Sequence, residues 1–272
     1  MRILFLGDVM GRSGREGLER HLPALKARLR PDVVIVNAEN AAGGQGVTEK
    51  LAEAFYALGV HCLTTGNHVW KQKELINTID RDPRLLRPLN YPENTPGKGA
   101  YLHTLPDGRT ILVVCVLARL FMDALIDDPF AATEKLIAQN RLGAEAAAIL
   151  IDFHGEATSE KMAFGHVFDG RVSAVCGTHT HIPTADEHIL PKGTAYQTDV
   201  GMCGDYDGVI GVKKEQAIRR FTQKTPSERL APAEGEATVC GCFIVTDDAT
   251  GLAQSIERVQ VGGKLLEELP SV

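Results

Sequence analysis

The chain has no CxxC pair, no apolar run of membrane length and no excess of basic charge, and each absence narrows its chemistry. Its six cysteines are Cys62, Cys115, Cys176, Cys203, Cys240 and Cys242. Most lie in or beside apolar stretches, where a reduced thiol packs as a small hydrophobe. Cys240-Gly-Cys242, the one close pair, reads as buried strand residues and not as a redox or zinc motif. No stretch approaches the ~20 apolar residues of a membrane span, and MRILFLGD breaks too early for a signal peptide. The expectation is a cytoplasmic, reducing location without a membrane partner. A net charge of −6 gives no basic stripe for gripping long nucleic acid. It leaves room for a small anionic substrate, because bound metal ions can supply local positive charge.

What is present is ordinary globular composition, 44% hydrophobic and 24% charged over 272 residues. Neither a linker nor a repeat divides it, so residues 1–272 read as a single domain with a large α/β core. Short apolar runs at 3–6, 33–36, 62–65, 110–116, 148–154, 172–176 and 194–198 read as strands, the first few as buried parallel ones. Leu18, Leu22, Leu25 and Leu29 recur at helical spacing within 15–29. Thr48 is placed to cap a second helix running to Leu58. Residues 131–147 read as a further helix. Segments 238–245 and 253–261, separated by Asp247-Asp248-Ala249-Thr250-Gly251, predict an antiparallel hairpin. Together these predict a layered α/β sandwich of mixed β-sheets flanked by helices, with the hairpin at the C-terminal end. Residues 80–99, with four prolines, predict a long surface loop that could wall or cover a site.

The informative pattern is where metal-competent side chains fall. Asp8, Glu39, Asn67, His154 and the pair His179/His181 each follow the C-terminal end of a predicted strand. In a parallel sheet those ends share one edge, the place where open α/β folds bind ligands. Singly, each has a plain reading: a cap, a turn residue, a core histidine. Jointly they place donors from five rigid elements around one crevice, as a catalytic metal site needs. In His179-Thr180-His181 the two rings lie two residues apart, so in extended chain both face one way. His68 follows Asn67 directly and stands beside the site without being needed as a ligand, which suits a general acid. Mixed carboxylate, amide and imidazole donors suit iron or manganese better than a structural zinc. Asp199 at a late strand end is a candidate to orient a ligand histidine. Glu156 and Lys161 either support the site or open the next helix. Trp70 and His21, His61, His103, His166 and His188 read as packing or surface residues.

These blocks resemble those of the calcineurin-like metallophosphoesterases. The counterparts are Gly7-Asp8-Val9-Met10-Gly11, Asn37-Ala38-Glu39-Asn40, Gly66-Asn67-His68, His154 and Gly177-Thr178-His179-Thr180-His181. The pattern departs from the family at Met10, where an imidazole is usual, and at Glu39, where the bridging aspartate is usual. With NAEN, GNHVW, DFHGE and GTHTH the chain is similar to the YmdB-like bacterial branch. That resemblance implies two metal ions, iron first and manganese second. Asp8, Glu39, Asn40 and His181 would hold one ion, and Glu39, Asn67, His154 and His179 the other, with Asn40 replacing the missing imidazole. It also implies hydrolysis of small phosphodiesters such as 2′,3′-cyclic nucleotides, by in-line attack of a metal-bridging hydroxide with His68 protonating the leaving group. The motifs leave open a phosphomonoesterase or nucleotidase, and a regulatory nucleotide- or protein-binding module with structural metals. A homo-oligomer, dimer or tetramer, is the general expectation for such a chain, and residues 204–235 are its candidate contact region.

Overall fold

The apolar runs sort themselves into three cores. In the computed structural model, which describes residues 1–122, 125–223 and 229–271, the first half of the chain forms β1 (Arg2–Leu6), β2 (Asp8–Val9), α1 (Gly11–Leu29), β3 (Val33–Asn37), α2 (Glu49–Ala57) and β4 (Cys62–Thr64). The middle forms β5 (Ala100–Thr104), β6 (Thr110–Leu117), α3 (Pro129–Ile137), β7 (Ala148–His154), α4 (Thr158–Val167) and β8 (Ala174–Thr178). The remainder forms β9 (His188–Ile189), β10 (Ala195–Gln197), β11 (Met202–Cys203), α5 (Lys214–Thr222), β12 (Val239–Thr246) and β13 (Ala253–Val261). One sheet has the order β13-β12-β1-β3-β4, the other β5-β6-β7-β8-β10-β9, and β11 pairs with β2 in a small ribbon.

Side chains alternate across a strand, so a strand covered on both faces must be apolar throughout. Leu4, Leu6, Val34 and Val36 meet α1 and α2 on the outer face of the first sheet. Their neighbours Ile3, Phe5, Val33 and Ile35 meet Ile111, Val113, Cys115, Ala148 and Leu150 between the sheets. Leu112, Val114, Ile149, Ile151 and Phe153 turn to the opposite face of the second sheet and pack with Ile137 of α3 and Phe164 of α4. The product is a helix–sheet–sheet–helix sandwich. Within α1, Pro23 removes a donor, a cost of ~3 kcal/mol in a helix interior. Four fully or nearly fully buried leucines on that helix, at ~1.5–3 kcal/mol each, outweigh it.

Strands β1, β3 and β4 run parallel in one sheet, and β6, β7, β8 and β10 in the other. Their C-terminal ends carry the residues singled out in the sequence. Thr48 caps α2 as expected, accepting from the Leu51 amide at 3.3 Å. The hairpin forms as β12 and β13, and β12 pairs antiparallel with β1, which makes the first sheet mixed. All six cysteines are buried and free.

Several expectations need correcting. The helix expected over 131–147 ends at Ile137: Asn140 turns its amide back onto the Leu136 carbonyl, and Gly143 takes φ 75°, so the alanine-rich remainder cannot continue. The strand expected over 172–176 is shifted to Ala174–Thr178. Residues 80–99 do not wall the site: they line a separate cavity with α3. Residues 204–235, named in the sequence only as a candidate contact region, also contribute to the site through Ile210, Val212, Arg229, Leu230 and Pro232; positions 224–228 of that segment lie outside the described residues. Among the described residues no helix is long and apolar enough to cross a membrane.

Candidate metal centre

His154, the last residue of β7, lies fully buried at the centre. Its Nδ1 stands 2.8 Å from Thr178 Oγ1. That hydroxyl donates to Asp152 Oδ1 at 2.6 Å, so its oxygen is left to accept, and Nδ1 must carry the proton. Nε2 is then the atom that can ligate. It faces Glu39 Oε2 at 3.2 Å, Asn67 Oδ1 at 3.0 Å and His179 Nδ1 at 3.1 Å. Glu39, His154 and His179 form the group whose ligand atoms all lie within 4.8 Å of one another.

A second set adjoins the first. Asp8, at the start of β2, accepts from the His179 amide at 3.1 Å through Oδ2. Its Oδ1 is buried with no hydrogen-bond partner and lies 3.8 Å from His154 and 3.9 Å from His181 Nε2. His181 Nδ1 is 2.8 Å from the Ile210 carbonyl. A carbonyl only accepts, so Nδ1 bears the proton and Nε2 offers its lone pair. Asn40 Nδ2 lies 3.0 Å from that Nε2 and donates to Glu39 Oε1 at 3.1 Å. Asn40 Oδ1 stands 2.7 Å from His68 Nδ1. All seven expected ligands and His68 are therefore joined in one contact network.

The electrostatics fit a bound cation. Burial raises the Glu39 carboxyl, but the imidazoles of His154 and His68 reverse this and hold it well below its ordinary value. Burial also disfavours a charged His154, yet Glu39, Asp8 and Asp152 carry its pKa up to about 9. A proton on that ring occupies a place the surroundings built for positive charge. Burial raises Asp8 despite its histidine neighbours. Burial and the charge on His154 push His179 down to about 3, which keeps it a neutral, ligand-competent ring. An unpartnered buried carboxylate oxygen facing two imidazoles is the donor chemistry of a metal site.

Backbone placement explains the close approach. A Cβ on Gly66 would come within 2.2 Å of Glu39 Oε2 and 2.3 Å of His154 Cδ2, so only glycine lets the β4 exit pass the centre. His179 and His181 both hold positive φ, 103° and 69°, unusual for non-glycine residues. The turn is fixed from below by a buried ion pair. Lys161 Nζ donates to Asp199 Oδ2 at 2.9 Å and to the Thr178 carbonyl at 2.8 Å, while Thr180 N donates to the same Asp199 oxygen at 3.0 Å. Asp199 thus acts on the backbone between the two histidines and on no imidazole. Glu156 reaches 3.4 Å from His179 Nε2. Trp70 packs edge-on to Tyr91.

Sequence reasoning missed Asp152, Thr178, Ile210 and Tyr206, whose hydroxyl donates to the His181 carbonyl at 2.8 Å. Asp152 had a visible signal, a carboxylate inside the apolar run Ile149-Leu150-Ile151-Asp152-Phe153.

Fold and centre together define a metallophosphoesterase-like protein. Over residues 4–259 the chain matches the family described as YmdB-like protein, and it belongs to that family. It is 48% identical over 261 residues to a Bacillus subtilis protein named 2′,3′-cyclic-nucleotide 2′-phosphodiesterase, covering 96% of this chain and 97% of that one. Among solved structures it is similar to a hypothetical protein from Thermus thermophilus, at 41% identity and TM-score 0.89 over 97% of this chain and 100% of that one. A structure named as a novel phosphatase from Mycoplasma pneumoniae matches with TM-score 0.89 at 35% identity, over 99% and 95% of the two chains.

Proposed function

We propose that this phosphoric ester hydrolase is a dinuclear-metal phosphodiesterase acting on small phosphodiesters, 2′,3′-cyclic nucleotides foremost. The observation that carries the reading is the buried, unpartnered Asp8 Oδ1 among lone-pair donors from five strand ends. Asp8, Glu39, Asn40 and His181 would hold one ion and Glu39, Asn67, His154 and His179 the other, with Glu39 shared; iron is the first choice and manganese the second. Such ions, when bound, neutralise phosphate oxygens and make a water acidic enough to attack at neutral pH. The chain itself supplies the proton. His68 is held through Nδ1 by Asn40, leaving Nε2 to protonate the departing alkoxide as the P–O bond to it breaks.

Diester selectivity follows from charge. Arg229 is the one lysine or arginine among the described residues lining the cleft, and Glu156 lines it too. A dianionic monoester would meet little positive charge beyond the metals and one nearby carboxylate. The cleft of about 310 Å³ lies at the lower end of ligand-pocket volumes and suits one nucleotide better than a long chain. The test is turnover of 2′,3′-cyclic AMP, bis-p-nitrophenyl phosphate and p-nitrophenyl phosphate by iron- or manganese-loaded protein. The two diesters should be hydrolysed and the monoester poorly. No diester turnover with both ions bound would leave a binding module with structural metals. The reading includes a cytoplasmic, self-associating protein on general grounds, with light scattering the check on assembly.

A further inference from the structure

The cleft over the metal centre is polar on the side of Asn40, His68 and Glu156, yet Met10, Ile210, Val212, Leu230 and Pro232 also line it. We propose that these five residues seat the organic part of the substrate, with Ile210 tying the fit of that part to the aim of His181. This rests on the phosphodiesterase reading and adds to it the residues that would seat the base-sized group of the diester.

Ile210 carries most of the argument. It is β-branched yet holds φ 45°, a conformation that is a genuine outlier for such a side chain and is retained where function requires it. Its carbonyl accepts from His181 Nδ1 at 2.8 Å, while the residue stays 52% exposed at the cleft. One residue thus touches both a candidate metal ligand and the space a substrate would fill. The wall around it is built and not loose. Lys213 N donates to the Ala231 carbonyl at 2.9 Å and Ala233 N to the Gly211 carbonyl at 2.8 Å, pairing the stretch that holds Ile210 and Val212 with the one that holds Leu230 and Pro232. Arg229 reaches Gln45 at 2.9 Å and links this wall to the glycine-rich loop at residues 43–46.

Met10 supplies an independent observation. The residue is 5% exposed, and its side chain is used in packing. A Cβ on Gly211 would lie 2.5 Å from Met10 Cγ, and one on Gly44 3.2 Å from Met10 Cε. The thioether therefore fills the junction between the glycine-rich loop and the Ile210 wall. Thioethers fill irregular apolar gaps with little strain.

The experiment compares binding of 3′-AMP and inorganic phosphate to manganese-loaded protein by calorimetry, with metal content measured in every sample. Ile210→Gly keeps the carbonyl and suits the left-handed backbone, and Val212→Ser keeps the backbone and loses the apolar contact. Each should lower the ratio of 3′-AMP to phosphate affinity about tenfold, the effect of losing roughly half of a buried aliphatic side chain. A ratio unchanged in both variants would overturn the proposal. So would equal weakening of both ligands with loss of metal, since the wall would then only prop His181. Wild-type protein that binds 3′-AMP no better than phosphate would overturn it as well. Failure of the phosphodiesterase reading would show separately, as absence of diester turnover in wild-type protein.

Discussion

Thr178 Oγ1 lies 2.8 Å from His154 Nδ1 and donates its own proton to Asp152, so a hydroxyl on β8 decides which nitrogen of a histidine on β7 is free. Thr178→Val keeps the shape and removes the relay. Metal affinity should fall about 10–100-fold, the usual effect of deleting a partner that orients a ligand, with the far-ultraviolet spectrum unchanged. Chelator competition measures it, and undiminished affinity would remove the relay from the account.

His68 touches Asn40 and Glu39, and the proposed mechanism uses it as the acid and not as a ligand. His68→Ala should lower kcat about 10²–10⁴-fold while elemental analysis still finds both ions. Loss of a metal in that variant would instead make His68 part of the binding set.

The raised pKa of His154 has two measurable signs. In metal-free protein the charged ring is favoured by folding, so its stabilisation is complete below the ordinary value of 6.5 and is lost as pH rises through about 9. The Tm of metal-free protein should therefore fall across that window. Metal binding must displace the proton, so affinity should rise about tenfold per pH unit below that pKa, and loading near pH 7 should release protons. Calorimetry in buffers of different ionisation enthalpy reads the release; none would mean His154 is already neutral.

Lys161 and Asp199 are buried together under the His179–His181 turn, with side chains 1% and 0% exposed. Lys161→Met leaves a carboxylate without its cation, a loss of about 3–5 kcal/mol in urea denaturation. Adding Asp199→Asn should recover part of it, because the second change removes the stranded charge. A double variant no more stable than the single one would contradict the pair's role.

The fold was legible where burial is complete. Residues 3–6 and 33–36 are apolar throughout, and 148–154 apart from Asp152 and His154, because both faces are covered, and each run gives way to buried polar residues at the site. That is why Asp8, Glu39, Asn67, His154, His179 and His181 could be gathered from their places along the chain. Asn40 came from resemblance, because an asparagine after a glutamate reads equally well as a turn. The relay through Thr178 was hidden, since its partners lie 24 and 26 residues away and a threonine in a strand has an ordinary reason to be there. The cleft wall was misplaced for a related reason. Proline-rich 80–99 had the look of a lid, whereas the real wall is made by non-local pairing of 209–213 with 231–233, which no local pattern announces. The third helix was read past Asn140 and Gly143, whose turn ends it at Ile137.

The two sheets contribute unlike halves to the centre. The β1, β3 and β4 ends bring carboxylates and amides, and the β7 and β8 ends bring every imidazole ligand. During synthesis the oxygen-bearing half emerges complete at Asn67, long before His154 and His181 exist. In the proposed dinuclear centre, neither ion would have its full ligand set until the two halves of the polypeptide have docked face to face.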